Sequence, residues 1–375
     1  MEVILHLYEE YETECVQHLV GMFAFCVWDK KNKRLFIARD RIGEKPLYYA
    51  ENSKGFYFAS EIKALWCIPE LEKKIDERVA VNLLVNTTMP PPLTSYKGIK
   101  ALTPATFMIT DSGGKRETKK YWKIDFSKRR NKLALPDAIE EFESLFSESV
   151  KGCLSSDVPI AVFLSGGLDS SAVAFESQKT LKDISTFSIG SNSHNAIDPE
   201  FIRANKIAVH LGLKNKQIYF SPHSIQSLPK MIFQYDQPFS QFQMFYIDQL
   251  ATIVRKEAKV ALGGNGSDEI FCGYKEYNLH RTFGALKPLL SNLPALFFKF
   301  LPANTAKKIL KFKDISKLKI TKMRGDLIDM GLKNLAHILM TREMMNQLSS
   351  WTPGEIITDY AEECNPQNYL DTVMY

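Results

Sequence analysis

Histidine and cysteine are scarce in this chain and are not grouped. Only 7 histidines and 6 cysteines occur among 375 residues. The cysteines lie far apart, without a C-x-x-C pair, at Cys15, Cys26, Cys67, Cys153, Cys272 and Cys364. A cysteine-based metal site needs ligands at short, regular spacing. The sequence therefore predicts reduced thiols and excludes a metal site of that class.

The chain also lacks the Gly-x-Ser-x-Gly elbow that marks many serine hydrolases. Its histidines are scattered and offer no obvious partner for a nucleophile. We interpret His194, His210 and His223 as surface or packing residues. A Ser or Cys hydrolase is therefore disfavoured.

No strong excess of charge of one sign is present. The 48 basic and 43 acidic residues leave a formal net charge of +5. The only dense basic cluster is at 128–132, and further lysines are scattered over 307–322. Nucleic-acid binders concentrate their basic residues, so we interpret both segments as solvated surface. We expect no nucleic-acid partner.

Long apolar runs are missing as well. The longest apolar stretch, 293–301, is too short and too interrupted to cross a bilayer. The first residues do not show the basic-then-apolar order of a signal peptide. The expectation is a cytoplasmic protein without a membrane partner.

The first third of the chain is rich in hairpin patterns. Short apolar runs flank a charged turn at 29–33, and a second pair of runs follows at 46–50 and 55–59. A third pair flanks Asp111-Ser112-Gly113-Gly114. This pattern predicts an antiparallel domain over residues 1–125.

The composition changes after Trp122, where a polar, basic stretch without apolar periodicity reads as a linker. From residue 135 onward, predicted strands alternate with predicted helices, and the pattern is helical from Asn278 to the end. Such alternation is typical of a parallel, doubly wound α/β sheet covered on both faces. We expect this second domain to span residues 135–375.

The most informative segment is a buried strand that runs into Ser165-Gly166-Gly167-Leu168-Asp169-Ser170-Ser171 and then a helix. Ligands bind beyond the carboxyl ends of parallel strands, and the glycines allow the backbone to approach an anion. The loop has no lysine, so it is not a Walker A motif. Asp169 would repel phosphate unless Mg²⁺ bridged them. The loop predicts a pyrophosphate leaving group and attack at the α-phosphate; the alternative is a Gly-rich turn with a helix cap.

A second loop follows the strand that ends near Leu262. It reads Gly263-Gly264-Asn265-Gly266-Ser267-Asp268-Glu269 and precedes a helical pattern. Its carboxylates are expected at the same sheet edge as Ser165, where Asp268 would share a metal with Asp169. The alternative is a helix start that carries Asp and Glu to complement the helix dipole.

Together these motifs resemble the glutamine-hydrolysing asparagine synthetase family, and the resemblance covers nearly the whole chain. That family carries a Ser-Gly-Gly-x-Asp-Ser loop and a later Ser-Gly-x-Gly-x-Asp-Glu-x-Phe-x-Gly-Tyr loop. Segments 21–25, 38–43, 45–49 and 58–65 look like the second half of its N-terminal glutaminase domain, of Ntn type. Segments 187–190 and 236–239 look like other parts of its nucleotide and substrate sites.

The resemblance implies ATP-dependent amide synthesis from aspartate with glutamine or ammonia, through a β-aspartyl-AMP intermediate, and a homodimeric assembly. It implies Mg²⁺ at Asp169 and Asp268, and catalytic roles for Asp268 and Glu269. It implies ATP and pyrophosphate contacts from Leu164, Ser165, Gly166, Gly167, Asp169, Ser170, Ser171, Ile189 and Gly264. Of these, Leu164 and Ile189 would flank the adenine, and Gly264 would lie near the ribose and α-phosphate.

The chain departs from the family at both ends. The N-terminal nucleophilic cysteine of the family is not found, and neither Cys15 nor Cys26 is a suitable replacement. A C-terminal lysine that would stabilise adenylation is not found either. These departures predict no glutamine hydrolysis, pyrophosphate release near background, and a partial glutaminase domain with exposed sheet edges and apolar faces.

Two departures lie inside the second loop, where Gly263 replaces a usual Ser and Asn265 replaces a common acid. A neutral amide cannot accept a proton from attacking ammonia. Other hypotheses therefore stay open beside an asparagine synthetase. They are a related amidotransferase or β-lactam-synthetase-like enzyme acting on another carboxylate, and a non-catalytic nucleotide-binding remnant.

Overall fold

Antiparallel β-structure makes up the N-terminal part of the chain. The computed structural model describes residues 2–85, 87–128, 133–193, 196–274, 277, 353–364 and 366. The strands pair as β1 (Ala24–Asp29) with β2 (Arg34–Arg39), β3 (Tyr48–Asn52) with β4 (Gly55–Ala59), and β6 (Thr106–Thr110) with β7 (Arg116–Lys120). All three predicted hairpins are confirmed.

The described strands of this part form two sheets. One has the order β1-β2-β6-β7, because β2 and β6 join the first and third hairpins. In the other, with the order β4-β3-β5, the short strand β5 (Ile99–Ala101) pairs with β3. The sequence did not predict β5, which is only three residues long.

Buried side chains cover both faces of these sheets. In β2, Phe36 packs with α1 (Glu2–Tyr11) and the 3₁₀ turn Glu12–Gln17. The next residue, Ile37, packs toward the three-stranded sheet, as the alternation of a strand requires. Ala50 of β3 packs against α2 (Ile62–Leu65) on the far side. The layers are therefore helix, sheet, sheet and helix.

The expectation of exposed apolar faces is wrong for these sheets, because one buried cluster lies between them and another covers each outer face. Three of the exposed apolar side chains lie at one edge of the four-stranded sheet. Val20, Met22 and Trp28 are 93%, 55% and 54% exposed. They lie on or just before β1, the edge strand of its sheet.

A parallel sheet forms the C-terminal part, as predicted. Its order is β12-β9-β8-β13, and each neighbouring pair is parallel. The strands are β8 (Ile160–Phe163), β9 (Ser185–Gly190), β12 (Lys214–Tyr219) and β13 (Val260–Leu262). A short antiparallel pair, β10 (Asn192–Ser193) and β11 (Ala196–Ile197), follows β9.

Helices cover both faces of the parallel sheet. On one face, α4 (Leu135–Leu154), α5 (Leu168–Thr180) and α6 (Pro199–His210) pack against Val162 of β8. On the other face, α8 (Gln243–Val254) packs against Ala161. Adjacent residues of β8 are thus buried on opposite faces, which explains its continuous apolar sequence.

The remaining described helices are α3 (Arg78–Val85), α7 (Leu228–Tyr235), α9 (Ser267–Phe271) and α10 (Pro353–Glu363). Short 3₁₀ turns occur at Phe126–Lys128 and Pro222–Ser227. Apart from α10, the helical pattern predicted from Asn278 onward lies outside the described residues. So does the apolar stretch 293–301. In the part of the chain that the structure describes, no helix is long and apolar enough to cross a membrane.

A buried carboxylate joins the two parts of the chain. Asp236, just after α7, has a left-handed backbone with φ 62° and is 5% exposed. Its carboxylate accepts hydrogen bonds from the backbone N–H groups of Ile62 (2.7 Å) and Lys63 (3.2 Å), in the first turn of α2. It also pairs with the Lys63 ammonium at 3.0 Å. Asp236 therefore caps a helix of the N-terminal part from the C-terminal part.

The neighbouring residues extend this contact. The side-chain carbonyl of Gln237 accepts a hydrogen bond from the Ser95 backbone N–H at 2.9 Å. The Ser240 hydroxyl donates to the backbone carbonyl of Leu83, in α3, at 3.0 Å. The segment after α7 thus makes polar contacts with several elements of the N-terminal part.

We expect Asp236→Ala to lower the free energy of unfolding by about 2 kcal/mol, because it removes the buried acceptor of two backbone N–H groups, while the ion pair with the partly exposed Lys63 contributes less. Urea unfolding followed by tryptophan fluorescence measures this change. The control is Asp183→Ala, at an exposed position, which should change stability by no more than about 0.5 kcal/mol. Equal effects of the two variants would contradict the capping role.

Candidate active site

The turn between β8 and α5 lies at the carboxyl end of a buried parallel strand. Gly166 in this turn has a φ of +84°, in the left-handed region. A Cβ on Gly166 would lie 2.8 Å from the backbone N of Ala204 and would also overlap the carbonyl oxygen of Glu200, both in α6. Only glycine permits this close approach of the loop to α6.

Serine hydroxyls hold the loop in shape. The Oγ atoms of Ser165 and Ser170 are 2.9 Å apart, and Ser165 N donates to Ser170 Oγ at 3.2 Å. Ser171 Oγ donates to the Gly167 carbonyl at 2.6 Å, and Gly167 N donates to Ser165 Oγ at 3.3 Å. Ser170 is buried, whereas Ser165 is exposed. The network fixes the Gly-Gly turn and leaves Ser165 accessible to a ligand.

The two predicted adenine contacts have different surroundings. The Leu164 side chain belongs to the core, and its backbone bonds to Phe187 and to the Ser188 hydroxyl. Leu164 therefore supports the loop from the core side. Ile189, near the end of the adjacent strand β9, is only partly buried. Contact of either residue with adenine stays a prediction.

The loop after β13 touches the loop after β8. A Cβ on Gly264 would lie 2.7 Å from Ser170 N and 2.8 Å from Asp169 Cβ, so a side chain there would force the loops apart. The neighbouring Gly263 has nothing within 4 Å of such a position. Close approach thus requires glycine at 264, and the structure brings together the two motifs that the sequence placed at one sheet edge.

Two carboxylates share this edge. Burial and, in second place, the charge of Asp268 raise the pKa of Asp169 above its ordinary value. Repulsion between like charges that lie near each other has this effect on a carboxyl group. A bound cation would remove the repulsion.

The donor set suits Mg²⁺ that is bound together with a nucleotide. Within the described residues, no group of three or more His, Cys, Asp and Glu side chains is arranged to hold a metal ion. Mg²⁺ commonly takes one or two carboxylates and completes its shell with substrate phosphates and water. Asp169 and Asp268 fit that requirement.

Glu269, the other proposed catalytic residue, is exposed and accepts a hydrogen bond from the Tyr274 hydroxyl at 2.9 Å. This bond, together with burial and the Glu269 charge, raises the pKa of Tyr274 to about 12. Tyr274 therefore stays protonated at neutral pH and remains a donor to Glu269. The sequence did not predict this pair, although the Gly273-Tyr274 dipeptide that ends the motif was visible in it.

Neither cysteine considered as a replacement nucleophile is activated. Cys15 is buried, which raises the pKa of its thiol to about 11. Cys26 is exposed, and local shielding of its sulfur by neighbouring atoms also raises the pKa of its thiol. Nucleophilic attack needs the thiolate. Both thiols are therefore poor nucleophiles at neutral pH.

Comparison with known families agrees with this arrangement. The sequence model of the family described as asparagine synthase matches residues 141–360, which contain both loops. The sequence model of the family described as glutamine amidotransferase domain matches residues 1–122. The chain belongs to the asparagine synthase family. The resemblance inferred from the sequence motifs is thereby confirmed.

Curated members of the asparagine synthase family match most of this chain. Asparagine synthetase (glutamine-hydrolyzing) 1 of Bacillus subtilis (strain 168) is 32% identical over 291 residues, which are 76% of this chain and 44% of that protein. Asparagine synthetase (glutamine-hydrolyzing) 2 of the same strain is 33% identical over 73% of this chain and 39% of its own length. The chain thus spans less than half the length of these two relatives.

A solved glutamine-dependent NAD⁺ synthetase from Acinetobacter baumannii, in complex with ADP, is also similar. It is 10% identical, the match covers 84% of each chain, and the TM-score is 0.29. A score this low adds nothing to the assignment of the family.

Without ligand, we expect Asp169→Asn to raise the melting temperature at neutral pH. A raised pKa in the folded state means that the folded protein holds the proton more tightly than the unfolded chain does, so the ionised carboxylate costs stability above that pKa. The gain should stay below about 1 kcal/mol, because solvent screens partly exposed carboxylates.

Thermal melts of the wild-type and Asp169→Asn proteins, recorded from neutral to acidic pH, measure this gain. The difference should shrink as the pH falls and the wild-type carboxyl becomes protonated. A lower melting temperature of Asp169→Asn at neutral pH would contradict the proposed repulsion between the two carboxylates.

Proposed function

We propose that this member of the asparagine synthase family forms amides by activating a carboxylate with ATP. The observation that carries the proposal is the contact between the two loops at Gly264, which joins the serine-rich turn to the acidic loop at the carboxyl edge of the parallel sheet. Ligands of open parallel sheets bind at this edge.

The residues of the two loops would divide the binding of ATP. The backbone of Gly166 and Gly167 and the hydroxyl of Ser165 would hold the pyrophosphate portion. Asp169 and Asp268 would hold Mg²⁺, which neutralises charge on the phosphates. Ile189 would contact the adenine, and Gly264 would leave room near the ribose and α-phosphate.

The reaction would proceed in two steps. A carboxylate oxygen of the acceptor forms a bond to the α-phosphorus of ATP while the bond to pyrophosphate breaks. Ammonia then attacks the acyl carbon, loses a proton and releases AMP, and the amide is formed. A carboxylate is a poor electrophile, and AMP as the leaving group overcomes this. Asp268 and Glu269 are the acidic residues that we propose to assist these steps.

Aspartate is the first acceptor to consider, because curated relatives are named asparagine synthetases. Gly263 and Asn265 keep a second acceptor class open, since an amide at 265 cannot act as a general base. Ammonia is the proposed nitrogen donor at this site, and the unactivated thiols of Cys15 and Cys26 argue against their use in glutamine hydrolysis. We also propose that the chain divides into domains at 1–125 and 135–375.

Calorimetry tests the nucleotide site. Asp169→Asn and Asp268→Asn should each weaken the binding of ATP in the presence of Mg²⁺ by more than about tenfold, or 1.4 kcal/mol, since each removes a charged ligand. The control is Asp183→Asn at an exposed position, which should bind like the wild type. Unchanged affinity in both site variants would refute the proposed site.

A second titration separates the acceptor classes. With the protein saturated by Mg²⁺ and a non-hydrolysable ATP analogue, aspartate and a panel of other small carboxylates are added in turn. Preferential binding of aspartate supports an asparagine synthetase, and preferential binding of another carboxylate supports the alternative acceptor. Nucleotide binding without any carboxylate binding would contradict amide synthesis.

A further inference from the structure

The segment after α9 turns back onto that helix. Cys272 has a left-handed backbone with φ 57° and ψ 42°, and its backbone N–H donates to the carbonyl of Asp268. The next residue, Gly273, donates its own N–H to the same carbonyl at 2.9 Å. Two consecutive N–H groups on one carbonyl hold residue 273 directly beside Asp268.

The Asp268 carboxylate occupies the space where a side chain at 273 would lie. A Cβ on Gly273 would overlap Asp268 Oδ1 and would stand 2.9 Å from its Cγ. The φ of Gly273 lies outside the left-handed region, so its backbone would accept an L-residue. Glycine is needed here for space and not for conformation.

The direction of the Asp268 side chain therefore depends on residue 273. With glycine there, the carboxylate packs against the backbone, near enough to Asp169 for its charge to influence that residue. Any side chain at 273 would push the Asp268 carboxylate out of its present position. The backbone of Asp268 would be less affected, because the overlap is with the carboxylate, whereas the Asp268 Cα would stand 3.2 Å away.

We propose that Gly273 is a positioning residue for the metal site: it leaves the space that holds the Asp268 carboxylate beside Asp169, and so it controls Mg²⁺ binding without touching the metal. This inference rests on the proposed nucleotide site. It adds a residue that acts only through Asp268.

The test compares Gly273→Ala with Gly152→Ala. Gly152, in α4, has nothing within 4 Å of a Cβ position and an ordinary φ, so its substitution serves as the matched control. The measurement is the Mg²⁺ concentration that gives half-maximal ATP binding, together with ATP affinity in EDTA. Gly273→Ala should raise the Mg²⁺ requirement about fivefold or more, while its ATP affinity in EDTA stays within about twofold of wild type.

A double variant shows whether the effect passes through Asp268. Asp268→Ala removes the carboxylate atoms that a Cβ at 273 would overlap and leaves only the Asp268 Cα, 3.2 Å away, so Asp268→Ala/Gly273→Ala should need no more Mg²⁺ than Asp268→Ala alone. The double variant should also melt at the same temperature as Asp268→Ala. If Gly273→Ala alone does not fold, the melting temperatures still show whether the effect of residue 273 passes through the Asp268 carboxylate. A double variant that melts below Asp268→Ala would contradict this.

The outcomes are distinct. A normal Mg²⁺ requirement in Gly273→Ala, with a raised one in Asp268→Ala, overturns the positioning role and leaves the nucleotide site intact. An equal loss of ATP binding with and without Mg²⁺, or an added loss in the double variant, also overturns it. A normal Mg²⁺ requirement in Asp268→Ala overturns both the positioning role and the metal site.

Discussion

The nearness of two like charges at the sheet edge is the constraint on which the rest of the site depends. Asp169 and Asp268 lie in the first turns of α5 and α9, which are far apart in the chain but follow the adjacent strands β8 and β13. Their repulsion opposes the fold in the absence of a cation. Proteins retain such unfavourable contacts where function uses them. Here the cation is the expected bridge between the carboxylates and a nucleotide.

Packing elsewhere offsets this repulsion. β8 is buried on both faces, and its clusters include residues of α4, α5 and α6 on one side and α8 on the other. Gly166 sits against α6, and Gly264 sits against Asp169, so each loop is fixed by contact with a neighbouring element. The N-terminal part is attached at Asp236, which caps α2. The position of each charged group thus follows from rigid elements that surround the loops.

Features that depend on local sequence could be predicted. The three hairpins follow from apolar runs separated by polar turns, and the parallel sheet follows from alternating strand and helix patterns. The Gly-Gly turn after β8 was recognisable because serine and glycine stand between a buried strand and a helix. Helix α4 begins at Leu135, and Pro136 suits its first turn.

Features that depend on contacts between distant segments could not be predicted. Nothing near Asp236 in the chain indicates that it caps α2, because its partners Ile62 and Lys63 lie more than 170 residues away. The need for glycine at 264 comes from backbone and side-chain atoms of Asp169 and Ser170, and the need at 273 comes from the Asp268 carboxylate, which are close only in three dimensions. The short strand β5 and the four-residue helix α2 are too brief to carry a periodic pattern.

The most direct test of the central claim is a crystal structure of the protein with ATP and Mn²⁺, in which the anomalous signal of manganese locates the metal. Our account predicts a metal peak within about 2.5 Å of carboxylate oxygens of both Asp169 and Asp268, with the phosphates of ATP against the Ser165 turn. A metal bound elsewhere, or ATP bound away from the carboxyl edge of the parallel sheet, would contradict it.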